Sequence, residues 1–214
     1  LYPVNIRARE VLGHKAYASV MDLPESADLA VITVPRTAAI PALRDCVRKG
    51  ISSVVIITQG FADADEKGRR MQEDMLEIIR DSDTRVIGPN SIGVANAFDN
   101  FHTSFQPFDL FRKENAMICQ SGMFILASAD FTNGLGLGVD IGNAADVGFS
   151  DLLPCLARDS RIKVINLHME GLAHGREFME AASKITSSKP VVVYKSGRST
   201  EGAKAAASHS ASLA

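Results

Sequence analysis

Seven short apolar runs rich in β-branched residues divide the chain, and most lead directly into glycine, proline or a polar residue. The runs are Leu29–Pro35, Ser53–Thr58, Arg85–Pro89, Ala116–Cys119, Leu135–Val139, Lys163–Leu167 and Pro190–Tyr194. Continuous apolar runs indicate strands that are buried on both faces. Helical periodicity lies between several of them, at Ala38–Lys49, Asp63–Arg80 and Arg176–Thr186. Strands that alternate with helices predict an α/β protein built of doubly wound parallel sheets.

Composition limits the class of protein. The 214 residues carry 23 Lys and Arg against 25 Asp and Glu, and 46% are hydrophobic. Such a chain has enough apolar residues for a packed core, which excludes a disordered protein. Its near-neutral charge argues against a nucleic-acid partner, and no apolar run reaches the roughly 20 residues of a membrane span.

The three cysteines, Cys46, Cys119 and Cys155, are far apart and form no C-x-x-C pair. This spacing fits neither a disulfide framework nor a metal site, so we predict reduced structural thiols in a cytoplasmic protein without a bound metal. The chain begins at Leu1 rather than at a methionine, and we expect it to be a fragment.

The alternation of strands and helices is interrupted by an aromatic stretch that contains five of the ten phenylalanines. We predict that this stretch, residues 98–113, is a connector that packs across a domain seam. The boundary gives a first domain at 1–97 and a second at 114–214, each of an ordinary domain size.

Small and glycine-containing segments follow the predicted strands, where ligands bind in open parallel sheets. The segments are Thr58–Gly60, Gly88–Gly93, Gln120–Gly122, Gly142–Asp146, Met169–Gly171 and Lys195–Ser199. Glycines allow the backbone to approach a ligand, and free amides at a helix start hold phosphate. Six such segments at one sheet edge favour an anion or a nucleotide-like ligand. No G-x-G-x-x-G loop precedes Tyr2, so the chain is expected to enter the first domain at its second strand.

One histidine, His209, lies in a small and polar C-terminal segment at Glu201–Ser212. It is either an exposed surface residue or a nucleophile or general base presented on that segment. The other histidines, His14, His102, His168 and His174, have no metal-ligand spacing among them.

In this order, the segments resemble those of the NDP-forming acyl-CoA synthetases, which include ADP-forming acetyl-CoA synthetase and the α subunit of succinyl-CoA synthetase. Tyr2–Asn5 resembles the entry to the family's second strand, Gly88–Gly93 its G-P-N-C-x-G loop and Gln120–Gly122 its S-x-S-G phosphate turn. Gly142–Asp146 resembles its G-N-x-A-D segment and Met169–Gly171 its loop with an acidic residue. Lys195–Ser199 and Ala207–Ser210 resemble the K-x-G-R-S and S-H-T-G pair that ends in a phosphorylated histidine. The similarity spans essentially the whole chain.

The resemblance implies a Rossmann-like CoA-binding domain that lacks its first strand and Gly-rich loop, followed by an incomplete flavodoxin-like ligase domain. It also implies a reaction in which acyl-CoA and phosphate give an acyl phosphate and free CoA. The phosphoryl group would then move to His209, whose ring Glu170 would orient, and finally to a nucleoside diphosphate. That ADP or GDP, with Mg, would be bound by an ATP-grasp partner subunit or fused domain, and we expect an oligomer.

The resemblance assigns further site residues. The phosphate ligands would be Ser121, Gly122 and Asn143. Arg7 would meet the phosphates of CoA, and a set of small or polar residues would line its pantetheine path: Val34, Pro35, Thr58, Gln59, Pro89, Asn90 and Ser91.

Three features depart from the family's pattern. The Gly-rich CoA loop is absent, Ser91 stands where cysteine is common, and His209 is followed by Ser210-Ala211 instead of Thr-Gly. A second hypothesis therefore stays open, namely a non-catalytic CoA- or acyl-CoA-binding regulatory module with a degenerate ligase half. That module would need neither His209 nor Glu170. The identity of the acyl group would depend on the side chains near Ser121–Leu126 and in the stretch Phe98–Phe111.

Overall fold

The computed structural model describes residues 1–106 and 112–197. Its strands, in chain order, are β1 Glu10–Val11, β2 His14–Lys15, β3 Leu29–Ile32, β4 Ser53–Ile56, β5 Arg85–Ile87, β6 Gly93–Asn96, β7 Phe101–His102, β8 Asn115–Cys119, β9 Leu137–Asp140, β10 Val164–Met169 and β11 Val191–Lys195. Its helices are α1 Arg36–Lys49, α2 Glu66–Ile79, α3 Met123–Leu126, α4 Ser128–Thr132, α5 Phe149–Arg158 and α6 Gly175–Ile185, with a short 3-10 helix at Val20–Asp22. Each predicted apolar run overlaps a strand, and each predicted helical stretch overlaps a helix, so the predicted α/β class is confirmed.

The first sheet contains three parallel strands in the order β3-β4-β5. Helix α1 connects β3 to β4, and α2 connects β4 to β5. Leu43 of α1, Ile56 of β4 and Met75 of α2 are fully buried against one another in the core, together with Phe61. Burial of these apolar side chains holds the two helices on the sheet and leaves the carboxyl ends of the strands open.

Helix α2 begins three residues later than the sequence predicts, and two carboxylates explain the difference. The Asp63 side chain accepts hydrogen bonds from the backbone N–H groups of Gly60 and Phe61, both at 2.9 Å, and so closes a turn. Asp65 is the N-cap residue, since its side chain accepts from the N–H of Gly68 at 2.7 Å. Such side-chain acceptors satisfy N–H groups that have no partner within the helix.

The second sheet has six strands in the order β11-β10-β8-β9-β6-β7. The first four are parallel, but β6 runs antiparallel to β9, and β7 antiparallel to β6. The predicted parallel sheet is therefore present, and two antiparallel strands extend it at this edge. Strand β6, Gly-Val-Ala-Asn, lacks a β-branched run, so periodicity gave no signal for it.

Strand β6 precedes the predicted boundary at residue 97, and yet it pairs with the second sheet. The boundary stays a prediction. Part of the predicted aromatic connector, residues 107–111, lies outside the described residues. Within the described part of this stretch, Phe98 packs against the hydrophobic core of the second sheet. The guanidinium of Arg161 lies 4.6 Å from the centre of the Phe98 ring.

The two sheets meet along the segment Gly142–Val147, which runs beside β5 and the residues that follow it. Backbone N–H groups of Asn143, Ala145 and Val147 donate to the carbonyls of Pro89, Gly88 and Val86, at 3.0, 3.2 and 3.2 Å. The Arg85 guanidinium also binds Asp146 at 3.0 Å and Asp151 at 3.2 Å. These contacts bring the strand ends of both sheets to one seam.

None of the helices in the described ranges combines the length and apolar character that a membrane span requires.

Candidate active site

A cavity of about 1240 Å³ lies at the seam, beyond the carboxyl ends of β3, β4 and β8. Residues predicted to line the pantetheine path are in its wall: Val34, Pro35, Thr58, Gln59, Asn90 and Ser91. The predicted phosphate turn, Ser121 and Gly122, lines the same cavity. The structure thus brings together two sets of residues that the sequence places far apart.

Hydroxyl groups in this wall are used to hold neighbouring loops. The Thr58 hydroxyl donates to the carbonyl of Val34 at 2.7 Å. The Ser91 hydroxyl donates to the carbonyl of Asp140 and accepts from the N–H of Gly93. These bonds fix the cavity wall before any ligand enters.

The phosphate turn lies directly before α3, and Gly122 is required there by close packing. A Cβ atom at this position would lie 2.5 to 2.8 Å from three carbons of the Ile92 side chain. Ile92 belongs to the loop that carries Asn90 and Ser91, so the small size of Gly122 lets that loop approach the turn.

A second cavity, of about 630 Å³, holds the predicted catalytic carboxylate Glu170 and the predicted phosphate ligand Asn143. Gln120 lines both cavities. Its side-chain oxygen accepts from the N–H groups of Glu170 at 2.7 Å and Gly171 at 3.0 Å. From the other side, the Lys195 ammonium donates to the carbonyl of Glu170 at 2.6 Å. The backbone around Glu170 is therefore held by both neighbouring strands of the sheet.

The Asn143 side chain makes contacts across the seam. Its amide nitrogen donates to the side chains of Asp63 at 2.8 Å and Gln72 at 3.0 Å. Because both amide hydrogens have acceptors in the first domain, the side chain joins the two domains. Its predicted role as a phosphate ligand stays a prediction.

Three other predicted site residues lie elsewhere. Arg7 is exposed in the N-terminal segment, where its N–H donates to the Asn5 side chain at 2.9 Å, and it lines neither of the two cavities as far as the structure describes them. Pro89 contributes its carbonyl to the seam but is not among the residues described along either cavity. His209 lies outside the described residues. Their roles stay predictions.

Sequence reasoning missed Asp140, which lies at the end of β9 and lines the larger cavity. The residue is 2% exposed, and its carboxylate accepts from the N–H groups of Ile92 at 2.7 Å and Gly142 at 3.2 Å. Burial raises the pKa of Asp140 to about 6, with a smaller contribution from the nearby charge of Glu170. The available signal in the sequence was a single carboxylate at the end of an otherwise apolar strand. A buried charge needs hydrogen-bond or ionic partners, so such a residue is a candidate for a site.

The high pKa of Asp140 predicts a pH dependence of stability. The folded protein holds this proton more tightly than the unfolded chain, whose aspartate pKa is near 3.9. The stability contributed by the protonated form is present below about pH 4 and is lost as the pH rises through about 6, a change of about 3 kcal/mol. The free energy of unfolding by urea, measured from about pH 4 to 7 for the wild type and for Asp140→Asn, checks this.

The difference between the two curves isolates Asp140 from the other carboxylates, such as Asp159, whose pKa is lowered to about 2 by Arg161. We expect the wild type to lose about 2 kcal/mol relative to Asp140→Asn over this range, because part of the full change falls below pH 4. Parallel curves would show that Asp140 does not hold a proton near pH 6.

Comparison with known proteins gives two family matches that together span nearly the whole chain. Residues 1–97 match the model of a CoA binding domain, and residues 112–214 match that of a succinyl-CoA ligase like flavodoxin domain. Among curated relatives, the α subunit of acetate–CoA ligase (ADP-forming) II from Pyrococcus furiosus is 41% identical over an alignment of 219 positions, which covers 100% of this chain and 48% of the relative. Acetate–CoA ligase (ADP-forming) I from Archaeoglobus fulgidus is 38% identical over 100% of this chain and 32% of its own length.

Among solved structures, the acetyl-coenzyme A synthetase 1 of Candidatus Korarchaeum cryptofilum, in complex with phosphate and ADP, superposes with a TM-score of 0.88. It is 35% identical, and the match covers 97% of this chain and 46% of that one. The chain therefore spans about half the length, or less, of these relatives.

Proposed function

Because this chain belongs to the superfamily of NDP-forming acyl-CoA synthetases, we propose that it is the CoA-binding and ligase part of an acid–CoA ligase. The reaction would proceed through an acyl phosphate and a phosphohistidine at His209. The observation that carries the proposal is the position of Gln120, which lines both the cavity that contains Ser121 and Gly122 and the one that contains Glu170.

In the proposed first step, a phosphate oxygen attacks the thioester carbonyl of acyl-CoA, and the C–S bond breaks to release CoA and an acyl phosphate. The larger cavity suits this step, since its volume and its small wall residues leave room for pantetheine beside the Ser121–Gly122 turn. Backbone amides at such a turn favour an anion.

In the second step, an imidazole nitrogen of His209 attacks phosphorus, the bond between phosphorus and the acyl oxygen breaks, and the carboxylate leaves. Glu170 would accept a hydrogen bond from the other ring nitrogen, which orients the ring and leaves the attacking nitrogen unprotonated. A carboxylate suits this role only if its position is fixed, and the bonds from Gln120 and Lys195 to the backbone of Glu170 support it.

In the third step, the phosphoryl group passes from His209 to ADP or GDP, which an ATP-grasp subunit or fused domain would bind with Mg. The name of the Pyrococcus relative, a subunit α, supports such a partner. We expect the assembly to be an oligomer located in the cytoplasm.

The lining of the larger cavity favours a monocarboxylic acid as substrate. Apolar side chains from both predicted specificity regions meet there, namely Phe105, Met123 and Leu126. Among the residues that the structure describes along this cavity, none is lysine, arginine or histidine. A second carboxylate of the substrate would lack a counter-charge, and the buried Asp140 would repel it.

The test uses the full-length protein with its natural nucleotide-binding partner. The complex is incubated with Mg-ATP, and separately with acyl-CoA and phosphate, and its intact mass is measured. We expect one phosphoryl group that is labile to acid, as a phosphohistidine is, from either side of the reaction. If CoA binds but no label appears from either side, the chain is a CoA-binding regulatory module and the ligase proposal is wrong.

A further inference from the structure

Lys195 lies at the carboxyl end of β11, beside Glu170. Its ammonium donates to the carbonyl of Glu170 and to that of Ser196, both at 2.6 Å. Lys195 also lines the cavity of about 630 Å³ that contains Glu170. An ammonium has three N–H groups, so in the described part of the chain one of them has no protein acceptor.

Lys195 differs in charge from the other described residues that line this cavity. It is the one lysine or arginine among the described residues that line the cavity, which also contains carboxylates. Two of these, Asp146 and Asp151, are paired with Arg85. A third, Glu177, lies 3.8 Å from the ring of His174.

A phosphoryl group that enters this cavity would carry a charge of about −1.5 to −2 at neutral pH. Phosphoryl transfer depends mainly on positioning and on charge stabilisation, so a cation must face the group where it is transferred. Two carbonyl acceptors hold the Lys195 ammonium in place, which reduces the entropy lost when it binds an anion.

We propose that Lys195 is the cation that binds the phosphoryl group during the transfer to and from a histidine that the proposed function requires. This inference rests on the proposed function and adds a phosphoryl-binding residue to it. The ammonium neither gains nor loses a proton in the step, and it acts as a point charge on the phosphoryl oxygens.

A purely structural role is the competing explanation, and the chain offers a matched control for it. Lys189 lies before the other end of β11, and its ammonium donates to the carbonyls of Leu156 at 3.1 Å and Asp159 at 2.6 Å. Lys189 therefore makes the same kind of bonds as Lys195, but it is not among the residues described along the cavity.

The experiment compares Lys195→Met, Lys195→Arg and Lys189→Met in the full-length protein with its partner. The rate of phosphohistidine formation from Mg-ATP is measured by rapid quench. For Lys195→Met we expect a roughly 10²-fold slower transfer. Lys195→Arg should recover part of this rate, because it keeps the charge, and Lys189→Met should match the wild type.

The proposal is overturned if Lys195→Arg is as slow as Lys195→Met, or if Lys189→Met shows the same loss. Should Lys195→Met fail to fold, Lys195→Gln carries the same expectation, since its amide can still donate to the Glu170 carbonyl but has no charge. If the wild type and Lys195→Met form phosphohistidine at the same rate, the role of Lys195 is refuted but the proposed function is not. A wild type that forms none refutes the proposed function.

Discussion

Replacement of His209 by alanine is expected to abolish the phosphorylated form of the protein and to lower acid–CoA ligase turnover by about 10³-fold or more. The proposed route joins two chemistries, acyl transfer in one cavity and phosphoryl transfer in the other, and His209 would be the sole carrier between them. Alanine offers no nucleophile, and the transfer to a nucleotide on the partner would have no intermediate. Turnover and the acid-labile label are measured together in the full-length complex.

The same variant should keep the first partial reaction, the release of CoA from acyl-CoA by phosphate. That step would need only the larger cavity with Ser121 and Gly122. His174→Ala is the matched control, since this histidine also lines the cavity of Glu170 but its side chain is 74% exposed. We expect His174→Ala to be labelled normally. A His209→Ala protein that is still labelled, or a His174→Ala protein that is not, would contradict the assignment.

The strands and most helices could be predicted because continuous apolar runs and helical periodicity are local signals. Two kinds of element gave no such signal. Strand β6 is stabilised by pairing with β9, a partner some 40 residues away, rather than by its own composition. Helix α5 contains Pro154, which breaks the pattern expected of a helix, and yet Phe149, Leu153 and Leu156 on its buried face hold it against the second sheet.

The positions of residues at the strand ends could be predicted from the sequence, but the partners of their side chains could not. Residues that follow strands, such as Thr58, Ser91 and Ser121, lie where the sequence places them, because parallel strands end at one edge. Contacts across the seam could not be foreseen. Asn143 was expected to face phosphate, but its amide binds Asp63 and Gln72 of the first domain.

We expect a second large effect from Gly142→Ala, because Gly142 lies in the seam between the two sheets. Gly142 has a φ of +51°, and a Cβ atom there would lie 2.3 Å from the carbonyl oxygen of Pro89 and 2.4 Å from that of Asn90. Both oxygens belong to backbone, so the loop of the first domain must move away from the second. A left-handed backbone adds about 1 kcal/mol for alanine, and with the overlap we expect a loss of about 3–5 kcal/mol in the free energy of unfolding.

The loop that must move contains Asn90 and Ser91, which line the larger cavity. We therefore also expect Gly142→Ala to lower the affinity for CoA by about tenfold or more. Urea unfolding and calorimetric titration with CoA measure the two effects. The control is Gly175→Ala, where the nearest atom to an added Cβ, Leu172 Cδ2, is 3.9 Å away and the residue begins α6. It should cost less than about 0.5 kcal/mol and leave CoA affinity unchanged, because alanine suits a helix. If Gly142→Ala changed the free energy of unfolding and the CoA affinity as little as Gly175→Ala does, the prediction would be wrong. The close approach of the two domains at Pro89 and Asn90 would then not determine the shape of the CoA cavity.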